Sequence, residues 1–192
     1  MDAGKAMARS GELIIDTTNE LENYGGALSA AGAFIRNAGD CVAQAAASCR
    51  FKTGSELVCD ELREAATCLK EGADKMAQAV TEASVDNQNT QQSLQDLCKP
   101  LVRAGVALEA AGRSIMQGAS VPQIGEYFVV AGVELEQISK LVGVLVPTSE
   151  TCALAGQRMN FGAERMKDAG YELTGKRPEV DSVPKGKSWI KS

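Results

Sequence analysis

The sequence predicts an all-α fold: an antiparallel bundle of about five helices, internally duplicated, with Ala/Gly-rich heptad seams that pack closely. Three observations carry this expectation. Leu21, Leu28, Ile35 and Val42 recur every seven residues with Ala31, Ala38 and Ala45 between them, and Leu101, Leu108 and Ile115 alternate likewise with Ala104, Ala111 and Gly118. That spacing marks helices lying side by side. Two strings return along the chain: residues 25–32, GGALSAAG, come back as GVALEAAG at 105–112, and GADKM at 72–76 comes back as GAERM at 162–166. Such self-similarity points to a repeated helical unit. Finally, hydrophobic residues make up 44% of the chain but aromatics only 4%. Cohesion must therefore come from broad contact between closely spaced helices rather than from bulky side chains.

Each element has its own local warrant. Residues 3–15 predict a short amphipathic helix with Met7 and Ile14 in phase, within an N-terminal arm of residues 1–17. The first long helix is expected from about Thr18 to Phe51, opened by a capping box of Thr17 and Glu20 and stopped before Gly54. The next begins at Ser55, with Val58, Leu62, Ala65, Leu69, Gly72, Met76, Ala79 and Ala83 as its stripe. The polar stretch 84–93 reads as the linker between a first half, 18–84, and a second half, 94–173. Pro100 suits the first turn of a helix ending at Gly118. Gly118, Ser120 and Pro122 form a stop followed by a start, so the chain is expected to reverse there; one kinked rod is the alternative. Ile124, Phe128, Ala131, Leu135, Ile138, Val142 and Leu145 mark the helix that Pro147 ends. Ser149 and Glu150 open the last helix, whose stripe runs from Cys152 through Ala155, Met159, Gly162, Met166 and Ala169 to Leu173. Residues 174–192 carry no helical period and form a basic, extended C-terminal tail.

The chain holds no histidine, which excludes Ser-His-Asp and Cys-His catalysis and His-ligated haem or di-iron sites. No phosphate-cradling glycine motif and no close Cys-x-x-Cys pair is present. Acidic residues fall mostly on outward helix positions, the usual place for a solvated face. No catalytic, cofactor or metal site is expected, and the chain reads as a non-enzyme. A net charge of −5 argues against nucleic acid as a partner. The run 124–146 is interrupted by Glu126, Glu134, Glu136 and Lys140, so no transmembrane segment is expected. The N-terminus lacks the apolar core of a secretory signal.

Six cysteines are the main chemical feature. Folding a hairpin about residues 52–54 sets Cys49 opposite Cys59 and Cys41 opposite Cys68, two rungs that could close as disulfides. A reversal at Pro122 would bring Cys98 and Cys152 to one end as a third pair. The alternative is that these cysteines are small apolar fillers, since Cys49 and Cys152 sit where alanine would also fit. The nested arrangement across 41–68 resembles the coiled-coil–helix–coiled-coil–helix proteins of the mitochondrial intermembrane space. Here seven and eight residues separate the cysteines, where that family usually has nine. The resemblance implies a disulfide-stapled assembly factor or an accessory subunit of a respiratory complex.

The tail holds the chain's one tryptophan, in the string KSWIK at 187–191. Trp189 and Ile190 between Lys185, Lys187 and Lys191 have the makeup of a docking segment: an apolar anchor flanked by charge. Packing of Trp189 back onto its own acidic bundle is the other reading. Taken together, these features lead us to expect a non-catalytic scaffold or linker that bridges or stabilises other, membrane-embedded protein subunits of a larger complex. The heptads of 21–45 and 101–118 followed by a basic tail with a tryptophan look like small accessory or linker subunits of algal photosystem–antenna supercomplexes. That resemblance implies a plastid, thylakoid-associated location, antenna subunits as partners, and peripheral chlorophyll contact through Glu, Gln or Asn. A lipid- or pigment-carrying bundle with small residues around a cavity is a further alternative.

Overall fold

In the computed structural model the described residues are 1–18, 25–82, 88–146 and 148–176. They form six helices and no strand: α1 (Asp2–Thr17), α2 (Gly25–Phe51), α3 (Ser55–Glu82), α4 (Gln88–Met116), α5 (Val121–Gly143) and α6 (Glu150–Thr174). The fold is an all-α helical bundle. Each helix packs on its neighbours in the chain, and α6 returns to pack on α1, so the substantial contacts close into a ring. Its interior holds Met7, Ile14, Leu28, Ile35, Leu62, Leu69, Met76, Leu94, Leu97, Leu101, Leu108 and Leu135, all essentially inaccessible to solvent.

Four local expectations are corrected. Residues 2–17 are not an arm beside five helices but a sixth helix of the ring, with Met7 and Ile14 wholly buried. Thr17 does not cap a following helix. It ends α1, and its hydroxyl donates to the Leu13 carbonyl at 2.8 Å, while Glu20 lies outside the described residues. The linker is shorter than 84–93, because α4 already begins at Gln88. Pro100 therefore falls inside α4 instead of opening it. It offers no amide to the Asp96 carbonyl, but its ring is buried and the helix continues on both sides.

The other boundaries follow the expected chemistry. Gly118 adopts φ +66°, the left-handed region glycine enters without strain, and Pro122 stands in the first turn of α5. The chain does reverse there: Arg103 of α4 pairs with Glu134 of α5 at 3.7 Å, and Thr90 donates to the Leu145 carbonyl at 3.4 Å. The Ser149 hydroxyl accepts from the Cys152 amide at 3.1 Å to cap α6, which Gly175 closes at φ +67°. Pro147 lies outside the described residues.

Glycines set how closely the helices approach. A Cβ on Gly125 of α5 would lie 2.7 Å from the Gly170 carbonyl oxygen of α6, and one on Gly156 would lie 2.7 Å from the Ser139 carbonyl. Between α1 and α2, Gly4 faces Gly39 and Gly11 faces Gly32, closer still. Between α3 and α4, a Cβ on Gly105 would stand 2.9 Å from the Ala66 carbonyl, and one on Gly112 would stand 3.3 Å from that of Cys59. Between α1 and α2 and between α3 and α4 the contacts step by seven residues, two helical turns; the two between α5 and α6 lie twice that far apart.

Candidate functional site

One end of the bundle carries a cavity of about 440 Å³. It forms where the ends of α1, α2, α3 and α6 meet α5. The last turns of α2 supply Val42, Ala45 and Cys49, and the first turns of α3 supply Val58 and Leu62. The far side comes from Phe128 of α5 and from Met166, Ala169 and Leu173 of α6. Ala169 and Leu173 continue the apolar stripe of α6 to its end, where they stay exposed on the cavity wall. Polar groups stand among the lining: Asp2, Arg165 and Glu172. The Arg165 guanidinium is drawn aside, 5.0 Å above the Phe161 ring centre and 3.8 Å from the Asp168 carboxylate. A largely apolar cavity with a few charged groups is what binding sites for an apolar group generally look like.

All six cysteines are free thiols, and the expected rungs between α2 and α3 are not formed. For Cys49 and Cys59 the reason is rotational. Val58, one residue before Cys59, lines the cavity with the α2 side chains, which turns Cys59 about 100° away. The Cys59 carbonyl instead faces Gly112 of α4, and its sulfur accepts from Arg63 at 3.9 Å. Cys41 and Cys68 are near enough to affect one another's charge. Burial, then Cys68, Glu61, Glu64 and Asp40, push the Cys41 thiol up to about 11. Burial and nearby Glu64 and Glu71 raise Cys68 as well. Burial raises Cys49, the thiol on the cavity wall, offset in part by the N-terminal amino group. Cys98 and Cys152 address different neighbours. The Cys98 thiol donates to the Ala73 carbonyl of α3 at 3.4 Å and is raised by burial and Asp74. The Cys152 thiol donates to the Thr17 hydroxyl of α1 at 3.6 Å. None of the four raised thiols is activated, because activation requires a lowered pKa.

A second surface feature lies on α4 and α5. Val102 and Val106 of α4 and Val130 and Val133 of α5 are exposed, between 39% and 50%. Arg103 and Glu134, adjacent in sequence to Val102 and Val133, join the two helices, and the second Glu134 carboxylate oxygen is buried with no hydrogen-bond partner among the described residues. Heptad reading passed over these valines because it tracks inward positions; their signal was apolar residues on outward ones. Lys185, Lys187, Trp189, Ile190 and Lys191, the expected docking residues, lie outside the described residues.

Among the described residues no cluster of three or more His, Cys, Asp or Glu side chains could hold a metal ion. No described helix is long and apolar enough to cross a membrane. Comparison of the chain with protein-family models, with curated proteins and with solved structures yields no match in any of the three.

Proposed function

We propose that this protein is a non-catalytic helical scaffold that bridges or steadies subunits of a larger assembly. The observation that carries this reading is four exposed valines on two adjoining helices, Val102 and Val106 of α4 and Val130 and Val133 of α5. Isolated apolar side chains on a surface mean little, but several together on two adjoining helices favour a protein contact. A ring whose helices meet at backbone distance supports it too, since a rigid support fixes the relative positions of what it touches. The heptads of 21–45 and 101–118 nominate a photosystem–antenna complex as the first assembly to examine, with a plastid location. A disulfide-stapled factor is less well supported, given six free thiols.

The test is native co-purification in mild detergent, comparing the unaltered chain with a Val106→Glu, Val130→Glu variant. The unaltered chain should bring down a defined set of subunits, and the variant should lose them while keeping the same helical circular dichroism and melting temperature. Retention of every partner by the variant, or the absence of any partner for the unaltered chain, would sink the reading.

A further inference from the structure

Where the seams of this ring close to backbone distance, its end instead leaves about 440 Å³ between Val42, Val58, Leu62, Phe128, Met166 and Leu173. We propose that this cavity receives the Trp189–Ile190 pair of the chain's own C-terminal segment, residues 177–192, which lies outside the described residues.

Three independent observations converge on that occupant. The first is position. Glu172 and Leu173 line the cavity, and α6 ends at Thr174, so the chain leaves the bundle at the cavity mouth. The second is reach. Twelve residues separate Lys176 from Trp189, a tether that extends to about 40 Å. Such a short tether holds its end at an effective concentration in the millimolar range, far above any free competitor of equal affinity.

The third is chemistry. An indole beside a branched aliphatic side chain calls for a largely apolar pocket, and cavities that hold such groups run from about 300 to 1,000 Å³. The lining carries both signs: the carboxylates of Asp2 and Glu172, the Met1 amino group near Cys49, and Arg165, which is turned toward Phe161 and Asp168. Lys185, Lys187 and Lys191 flank the apolar pair with positive charge that the Asp2 and Glu172 carboxylates can answer. The inference goes beyond the scaffold role. A subunit that uses the tail as a grip must compete with the cavity for the same anchor, so partner engagement and cavity exposure become coupled.

Trp189 is the sole tryptophan, so the intrinsic fluorescence of the full chain reports on it alone. In dilute solution the emission should be shifted to shorter wavelength than in the urea-unfolded chain, and acrylamide quenching should be severalfold weaker. Cys49 lines the cavity, and a thiol quenches an indole it touches, so Cys49→Ser should brighten the folded protein but not the unfolded one. Lys187→Glu with Lys191→Glu, changes outside the described residues, should return the spectrum toward that of an exposed indole. An exposed spectrum in the unaltered chain would overturn the proposal. So would a folded-state emission intensity that Cys49→Ser leaves unchanged, a blue shift that disappears on dilution, or an acyl lipid or pigment extracted from the native protein in stoichiometric amount.

Discussion

Glu136 shows what a single side chain contributes to this bundle. It stands on α5 and accepts from Lys140 on the same helix at 2.8 Å and from Lys167 on α6 at 2.7 Å. Those two bonds hold its carboxyl down to about 2, against an ordinary value of 4.5. A carboxyl whose folded-state value is depressed adds stability above its unfolded value, and that increment fades as the pH falls toward the folded one. The pair is partly exposed, so its worth is about 1 kcal/mol or less. Glu136→Gln should therefore lower the urea midpoint near neutral pH, and the gap between variant and parent should close as the pH approaches 2. A gap that persists in acid would mean the side chain acts through packing and not charge. Glu109 joins Lys70 of α3 in a similar link at 2.6 Å and is likewise lowered, chiefly by that hydrogen bond.

At the scale of the helix, glycine decides the spacing. Gly125→Ala would set a Cβ 2.7 Å from the Gly170 carbonyl oxygen, and a Cβ added on the opposing Gly170 would likewise lie 2.7 Å from the Gly125 carbonyl oxygen and from a Val129 methyl group. Helices α5 and α6 would have to separate, at a cost of about 1–3 kcal/mol, which exceeds the propensity gained by replacing glycine in a helix. Gly26→Ala provides the contrast. Nothing among the described residues stands within 4 Å of its added Cβ, and in the first turn of α2 it should gain about a few tenths of a kcal/mol from helix propensity, less than in a helix interior. Urea denaturation of both variants checks the opposite signs; a neutral Gly125→Ala would show that the seam is slack. Heptad spacing made the inward stripes legible: Leu28, Ile35, Leu62, Leu69, Leu101, Leu108, Leu135 and Ile138 are all buried as their period required. The glycine contacts were harder to read, because a residue without a side chain looks alike whether it faces solvent or a neighbouring backbone. Pro100 misled for a related reason. Proline suits a first turn locally, and nothing local announces that α4 began twelve residues earlier. The cavity was illegible altogether, since it depends on where five helix ends stop relative to one another.

For the molecule as a whole, closure of the ring matters more than any one pair of helices. The first and last helices meet through the Ser10 hydroxyl, which donates to the Ala155 carbonyl at 2.9 Å, and through Gly162, whose added Cβ would lie 3.1 Å from the Ala3 carbonyl. An open row of helices would leave apolar faces on both α2 and α6 for water to wet. Helix α1 covers both, and it buries Met7, Leu13 and Ile14 in doing so. Each such side chain is worth about 1.5–3 kcal/mol when fully buried, so losing the three together removes several kcal/mol. For a chain of this size that corresponds to a fall in melting temperature of more than about 10 °C. A chain lacking residues 1–17 should show that fall by circular dichroism, or should associate through the uncovered faces and elute early on gel filtration. A merely appended arm would behave otherwise, and an unchanged melting temperature in a monomeric truncated chain would show that five helices suffice.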